Sequence, residues 1–300
     1  MVTALVGVMC LTLLGCRQKL NIPIHSITWD SRGFKIDGKY TLFNIGGLMY
    51  WRTPPGEWED RLRKMKGSGI NMVETYVSWV FHEPEEGKFD FSSETHDLSR
   101  FLALCEDIGL FVYIRPGPYI NAEDDGGGLP GWLVRNAGKD PAAAADSKVV
   151  PRRYDADYNT YVARYLKQVD SIVKKHEYGT TAKGTVLFYA LENEYEWFQF
   201  NRLLEGTQIK MDEVSRIFTF LRDTVRGHGI TIPLVVASGV PPGDTAFIGT
   251  GGVPGILVAP NMYPGNATIK PGGNAPFDIE GTGAEAIKQL HSYSFNKGLY

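Results

Sequence analysis

Val186-Leu187-Phe188-Tyr189-Ala190-Leu191-Glu192-Asn193-Glu194-Tyr195 passes directly from apolar to charged. Six apolar residues in succession suit a strand covered on both faces, as in a parallel sheet. The triplet Glu192-Asn193-Glu194 follows where that strand would end. In barrels of alternating strands and helices, the carboxyl ends of the strands carry the chemistry. Two carboxylates around an amide at the rim of an apolar core need partners to offset their desolvation. A strand end that meets solvent, or a helix cap, would give the same pattern.

Outward from this strand, periodicities alternate. Upstream, Tyr158, Tyr161, Val162, Tyr165, Leu166, Val169, Ile172 and Val173 recur at helical spacing and predict a long helix over 155–176. Before it, Asn71–Trp79 and Leu110–Ile114 read as strands, with a helix over 94–108 between them that stops at Gly109. Trp58, Leu62 and Met65 mark an earlier helix, and Thr41–Gly47 a first strand. Ile27–Asp30 and Gly33–Lys39 form a small hairpin region with Asp37-Gly38 as a turn signal. Downstream, a helix over 214–228 leads to strands at 232–238 and 256–260, and 283–295 reads as a further helix. Strand and helix alternate about six times, which predicts a parallel α/β fold. A doubly wound sheet fits by count alone, but no Gly-x-Gly-x-x-Gly follows the first strand.

Composition narrows the partners. The chain has 300 residues, 43% apolar and 22% charged, with a net charge of −3, as for an ordinary globular protein. That balance gives no reason to expect nucleic acid or an anionic membrane surface. Cys10, Cys16 and Cys105 are too few for a disulfide framework, and neither they nor the six histidines show metal-ligand spacing. No metal and no cofactor is implied. Ala4–Leu14 has the length of a secretory apolar segment and ends in Leu13-Leu14-Gly15-Cys16, which resembles the lipobox of bacterial lipoproteins. No Lys or Arg precedes it. The expected organisation is a leader over 1–16, a linker over 17–25 and a catalytic domain over 26–300. The protein would sit in the cell envelope or outside the cell, touching membrane only through lipid on Cys16.

The loop Arg115-Pro116-Gly117-Pro118-Tyr119-Ile120-Asn121-Ala122-Glu123-Asp124-Asp125-Gly126-Gly127-Gly128 opens from the third strand. Charged and aromatic residues beside consecutive glycines suit a binding site carried by a strand end. The glycines are not a phosphate loop, since no Gly-Lys-Ser/Thr follows.

Four motifs occur in order: Tyr76-Val77-Ser78-Trp79 with His82-Glu83-Pro84; Arg115 to Glu123; Gly127-Gly128-Leu129-Pro130-Gly131-Trp132-Leu133; and Glu192-Asn193-Glu194-Tyr195. Together they resemble the family 35 glycoside hydrolases, the β-galactosidases. The resemblance implies a (β/α)8 TIM barrel that removes terminal β-linked galactose with retention, so the expected partner is a β-galactoside oligosaccharide. It implies Glu194 as the acid/base and Asn193 as the residue that holds the sugar 2-hydroxyl. Asn121, Ala122 and Glu123 match the group that binds galactose hydroxyls, and Tyr76 and Tyr263 match tyrosines that line the pocket.

These side chains suit those roles. A retaining glycosidase uses two carboxyls about 5 Å apart, one of them protonated near neutral pH. Burial beside Glu192 would favour a protonated Glu194. The structural alternatives are a supporting role for Glu192, a loop-end role for Glu83, a solvated turn at Asp124 and Asp125, and a core position for Tyr76. The family's nucleophile is a glutamate at the end of the seventh strand, in a Glu-Phe motif absent here. Glu280 follows no strand, and Glu285 suits a first helical turn. The nucleophile is therefore expected beyond Tyr300, with the barrel truncated after about six strand-helix units. Two other functions fit the same sequence: a retaining glycosidase for another sugar, and a carbohydrate-binding surface lipoprotein without catalysis.

Overall fold

A computed structural model describes residues 25–134, 149–181, 183–195, 211–238 and 252–260. The leader and nearly all of the linker lie outside these residues, as do Tyr263, Glu280, Glu285 and the helix expected at 283–295.

Nine strands and six helices are described. A three-stranded antiparallel sheet comes first: β1 (Ile27–Asp30), β2 (Gly33–Ile36) and β3 (Lys39–Tyr40). Asp37 and Gly38 join β2 to β3 with φ of 50° and 77°, the left-handed geometry their sequence predicts. The main sheet contains β4 (Ile45–Gly47), β5 (Met72–Tyr76), β6 (Phe111–Gly117), β7 (Val186–Asn193), β8 (Leu234–Ser238) and β9 (Ile256–Pro260). Its six strands pair in chain order and all in parallel. A doubly wound sheet would reverse its strand order midway, so this sheet is the wall of a (β/α) barrel.

Helices α1 (Trp58–Gly67), α2 (Trp79–His82), α3 (Leu98–Ile108), α4 (Gly131–Val134), α5 (Ala156–His176) and α6 (Met211–Gly227) complete the order. Local chemistry sets several ends. Asp155 and Asp97 accept from the backbone N–H of Tyr158 and Arg100, capping α5 and α3. Gly109 takes φ 75° and closes α3.

Two apolar layers flank the sheet. Val73, Val112, Ile114, Tyr189, Leu191, Leu234 and Val236 point outward to the helices. Met72, Tyr113, Phe188, Ala190 and Val235 point inward. The amino end of that interior is filled by the first sheet. Phe34 meets Phe188 edge-on at 5.0 Å, and Phe43 meets it at 5.5 Å. The inward residues near the other end, Glu74, Tyr76 and Arg115, are polar, and among the described residues no sheet closes that end as the first sheet closes this one.

Three buried polar groups hold the outer layer. Asp170 on α5 accepts from Tyr189 Oη of β7 at 2.6 Å and pairs with His228 Nδ1 at 2.7 Å. Glu83 is fully buried and accepts from Trp79 Nε1, Gly87 N and Arg164 Nη2, so it fastens the end of α2 and takes the loop-end role. His82 lies flat on Phe91 at 4.0 Å, between Tyr50 Oη and the carbonyl of Asp90. A carbonyl only accepts, so Nδ1 carries the proton and Nε2 accepts from Tyr50.

Burial pushes the His82 imidazole down from 6.5 to about 4. Between those values the unfolded chain binds a proton that the folded chain does not. The stabilisation is therefore complete above pH 6.5 and is lost as pH falls towards 4, by up to about 3 kcal/mol. Urea midpoints should drop over that window, and His82→Gln should flatten the drop. A wild-type midpoint constant from pH 7 to pH 4.5 would contradict this account of His82.

Candidate active site

The open end of the barrel collects the carboxyl ends of β5, β6 and β7. Along β5, alternation puts Met72, Glu74 and Tyr76 on the inner face. On β6 it puts Tyr113 and Arg115 there, and Tyr76 stands beside Arg115 in the parallel register. Arg115, 6% exposed, reaches Glu74 Oε1 through Nη1 and Asn193 Oδ1 through Nη2, each at 2.5 Å. Its guanidinium lies over the Tyr76 ring at 4.4 Å. The Tyr76 phenol is raised above its ordinary value by burial, and also by the negative charges of Glu74 and Glu123, which Arg115 opposes. Tyr76 is half-buried rather than a core residue.

Strict alternation along β7 would carry Glu192 inward after Phe188 and Ala190. The strand departs from it. The pairing with β8 shifts between Ala190 and Asn193, and Glu192 takes φ 56°. A bulge of this kind re-aims side chains at a strand end. Glu192 turns into the wall, where it is fully buried and held by Arg152 through Nε at 3.1 Å and Nη2 at 2.8 Å. Its carboxylate also accepts the N–H of Asn193 at 2.9 Å. Burial raises the Glu192 carboxyl, while Arg152 and that N–H lower it. Glu192 thus braces both an arginine and Asn193, the supporting role. Its charge is compensated within the wall, so it is not an uncompensated carboxylate beside Glu194.

Arg152 Nη2 also donates to the carbonyl of Asn193 at 3.0 Å, and Tyr195 Oη donates to the carbonyl of Arg152 at 2.7 Å. The guanidinium stacks on Tyr119 at 3.6 Å. Gly127 makes that stack accessible to the loop: a Cβ there would fall 1.9 Å from the Tyr119 ring. Gly127 is needed for close approach to this aromatic ring, and Gly128 for approach to Ile120, whose Cγ1 would lie 2.7 Å from a Cβ there. Glu194 follows at the carboxyl end of β7, half-buried, with φ 44° and its N–H bonded to the carbonyl of Ala237 on β8 at 2.9 Å.

The loop after β6 supplies the next wall. Asn121, Ala122 and Glu123 have φ of 56°, 52° and 48°, three successive left-handed residues that only tertiary contacts can hold. Arg52 donates to the carbonyls of Ala122 and Glu123, each at 2.9 Å, and stacks on Trp51 at 4.2 Å. Trp51 Nε1 in turn donates to the carbonyl of Tyr76 at 3.2 Å. Asp124 accepts from Ser78 Oγ at 2.6 Å and stands 3.9 Å from Arg52. Asp124 is therefore a tie between two loops and not a solvated turn, while Asp125 is exposed. The side chains of Asn121 and Glu123 are exposed at the rim.

The structure thus gathers Tyr76, Asn121, Ala122, Glu123, Asn193 and Glu194 around one end of the barrel. Tyr263 lies outside the described residues. Sequence reading passed over four supporting residues: Arg52, Glu74, Arg115 as a bridge, and Arg152. A period-two reading of Met72-Glu74-Tyr76 and Tyr113-Arg115 marks Glu74 and Arg115 as inward charges. No local pattern marks Arg52 or Arg152. Among the described residues no cluster of His, Cys, Asp or Glu could hold a metal ion. An exposed carboxylate, an amide, a half-buried carboxyl and an aromatic face together suit a polyhydroxylated ligand whose linking oxygen can be protonated.

Residues 33–226 match the Glycosyl hydrolases family 35. The chain belongs to that family. Among its relatives, an exo-beta-D-glucosaminidase of Pyrococcus horikoshii is 38% identical over 180 residues, 57% of this chain and 23% of the relative. A probable beta-galactosidase B of Pyrenophora tritici-repentis is 34% identical over 223 residues, 71% of this chain and 20% of the relative. The chain thus spans about a fifth of the length of these two relatives. A solved beta-galactosidase from the Antarctic haloarchaeon Halorubrum lacusprofundi shares the fold, with a TM-score of 0.53 and 17% identity, covering 78% of this chain and 42% of that one.

Two predictions concern these supports. Removing one partner of a buried ion pair costs about 3–5 kcal/mol, so Glu192→Gln or Arg152→Met should lower stability by that order, read by urea denaturation. A loss within ordinary surface effects would refute the wall role. Arg52→Ala should speed amide hydrogen exchange in residues 119–128 while leaving α5 unchanged, and unchanged exchange in that loop would remove Arg52 from it.

Proposed function

We propose that the protein is a retaining glycoside hydrolase that removes terminal β-linked galactose, with Glu194 as general acid/base. One observation carries the reading: a family 35 chain places Asn193-Glu194 at the open end of its fourth barrel strand, braced by the buried pair of Arg152 and Glu192. In this reading Glu194 protonates the bridging oxygen as the glycosidic bond breaks, then deprotonates the water that releases the sugar. Asn193 donates to the 2-hydroxyl, a contact that strengthens as charge develops on the ring. Glu123 accepts from two sugar hydroxyls, with Asn121 and Ala122 beside it, and Tyr76 and Tyr263 cover the apolar face. Glu74 is engaged by Arg115, so the nucleophile is assigned to a carboxylate outside the described residues.

A second reading is favoured by the relative that bears the name exo-beta-D-glucosaminidase: the same barrel acting on a 2-amino sugar. Full-length protein assayed on aryl β-glycosides separates the two by which sugar it cleaves. Glu194→Gln should lower kcat/KM by about 10²–10⁴, with far less loss when the leaving group needs no proton. Equal loss on both leaving groups would argue against an acid at position 194. Sugar binding without turnover would instead support the non-catalytic lipoprotein. The cell-envelope location rests on Leu13-Leu14-Gly15-Cys16, and lipid labelling that survives Cys16→Ser would refute it.

A further inference from the structure

We propose that Arg115 fixes which way the Asn193 amide faces, making Asn193 a permanent donor that selects sugars with an accepting group at carbon 2. This rests on the reading above, in which Asn193 meets the substituent at that carbon. Arg115 is the positioning residue and Glu74 its anchor.

The chemistry follows from donor and acceptor counts. A guanidinium has five N–H donors and no acceptor. The Asn193 side-chain atom at 2.5 Å from Arg115 Nη2 must therefore be the amide oxygen. The NH2 group is turned the other way. Among the described residues no group accepts from that NH2, and it is not sealed from solvent. An amide can exchange oxygen and NH2 by a half-turn about a soft torsion. Here a half-turn would set donor against donor and forfeit a charge-assisted bond.

Arg115 itself cannot follow such a turn. Glu74 Oε1 holds its other terminal nitrogen at 2.5 Å, and the Tyr76 ring covers one face at 4.4 Å. Arg115 Nε is buried and has no acceptor, so these contacts set its pose. Three neighbouring strands thus contribute to one orientation: Glu74 from β5, Arg115 from β6 and Asn193 from β7.

The consequence is a test on the sugar's second carbon. A hydroxyl accepts from the NH2. An ammonium only donates, so it would meet the NH2 donor to donor and leave both groups unpaired. A carbon bearing only hydrogen leaves the NH2 unpaired. Sites built to hydrogen-bond a substrate group reject analogues in this way.

The experiment uses the full-length protein with three aryl substrates: the β-galactoside, its 2-deoxy analogue, and its 2-amino-2-deoxy analogue at a pH where the amine is charged. Wild type should favour the first over both others by about 10² or more in kcat/KM. Arg115→Lys keeps a charge but cannot bridge Glu74 and Asn193, and Glu74→Gln loosens the anchor with less risk to folding. Both should reduce the preference for hydroxyl over deoxy by about tenfold or more, towards that of Asn193→Ala, chiefly in kcat. Both should also raise the ammonium substrate relative to the hydroxyl one. Adding Arg115→Lys to Asn193→Ala should reduce that preference no further. Equal loss on all three substrates, at matched melting temperatures, would show a merely structural role and overturn the inference alone. A wild type that prefers the ammonium sugar would also overturn it. A wild type that cleaves none of the three would overturn the reading of function, and this inference with it.

Discussion

The buried pair of Arg152 and Glu192 is the constraint on which the open end of this barrel depends. A carboxylate at the end of a fully buried strand would be costly without a cation in contact. Arg152 supplies two N–H donors to it and a third contact to the carbonyl of Asn193. The pair stabilises a β7 whose last residues leave regular pairing. Glu192 sinks into the wall, and Asn193 faces Arg115. Without this compensation, the alternation of the strand would bring Glu192 inward and take Asn193 away from the ring of polar groups.

The same arginine couples β7 to the loop after β6. Its guanidinium lies on Tyr119, whose ring occupies the space left by the missing side chain of Gly127. That loop carries Asn121, Ala122 and Glu123 through three left-handed residues, and Arg52 holds two of their carbonyls from the first barrel loop. Strained backbone at a site persists only where its surroundings over-determine it. Here the surroundings come from three separate segments of the chain. The two candidate binding walls are therefore mechanically linked through side chains that need not touch a ligand.

Charge is handled the same way across the site. Glu74 and Arg115 are both inward, and each has the other as partner. Glu83 and Asp170 are fully buried, yet each accepts from several donors. At the rim Asn121 and Glu123 are exposed, and Glu194 is half-buried at the end of β7. The carboxylates of Glu74, Glu83, Asp170 and Glu192 are each held by protein donors, whereas Asn121 and Glu123 at the mouth are exposed.

The sequence by itself determined the elements and their kind. Apolar runs, helical spacing and the stop at Gly109 are local signals, and the structure follows them to within a few residues, with the start of α3 moved from 94 to Leu98 by the cap at Asp97. Thr41–Gly47 is shorter as a strand than the run implies, because only Ile45–Gly47 has a partner in β5. The motif residues Tyr76, Asn121, Ala122, Glu123, Asn193 and Glu194 were legible through the four motifs that resemble family 35, and the change from apolar to polar after Leu191 marks the end of β7. Tertiary structure decided between a barrel and a doubly wound sheet, because strand order is a property of pairing and not of any one strand. It also decided which way Glu192 and Asn193 face. A one-residue bulge reverses the side-chain period, and that bulge is held by Arg152, some forty positions earlier. No local pattern can encode a partner that only folding brings near.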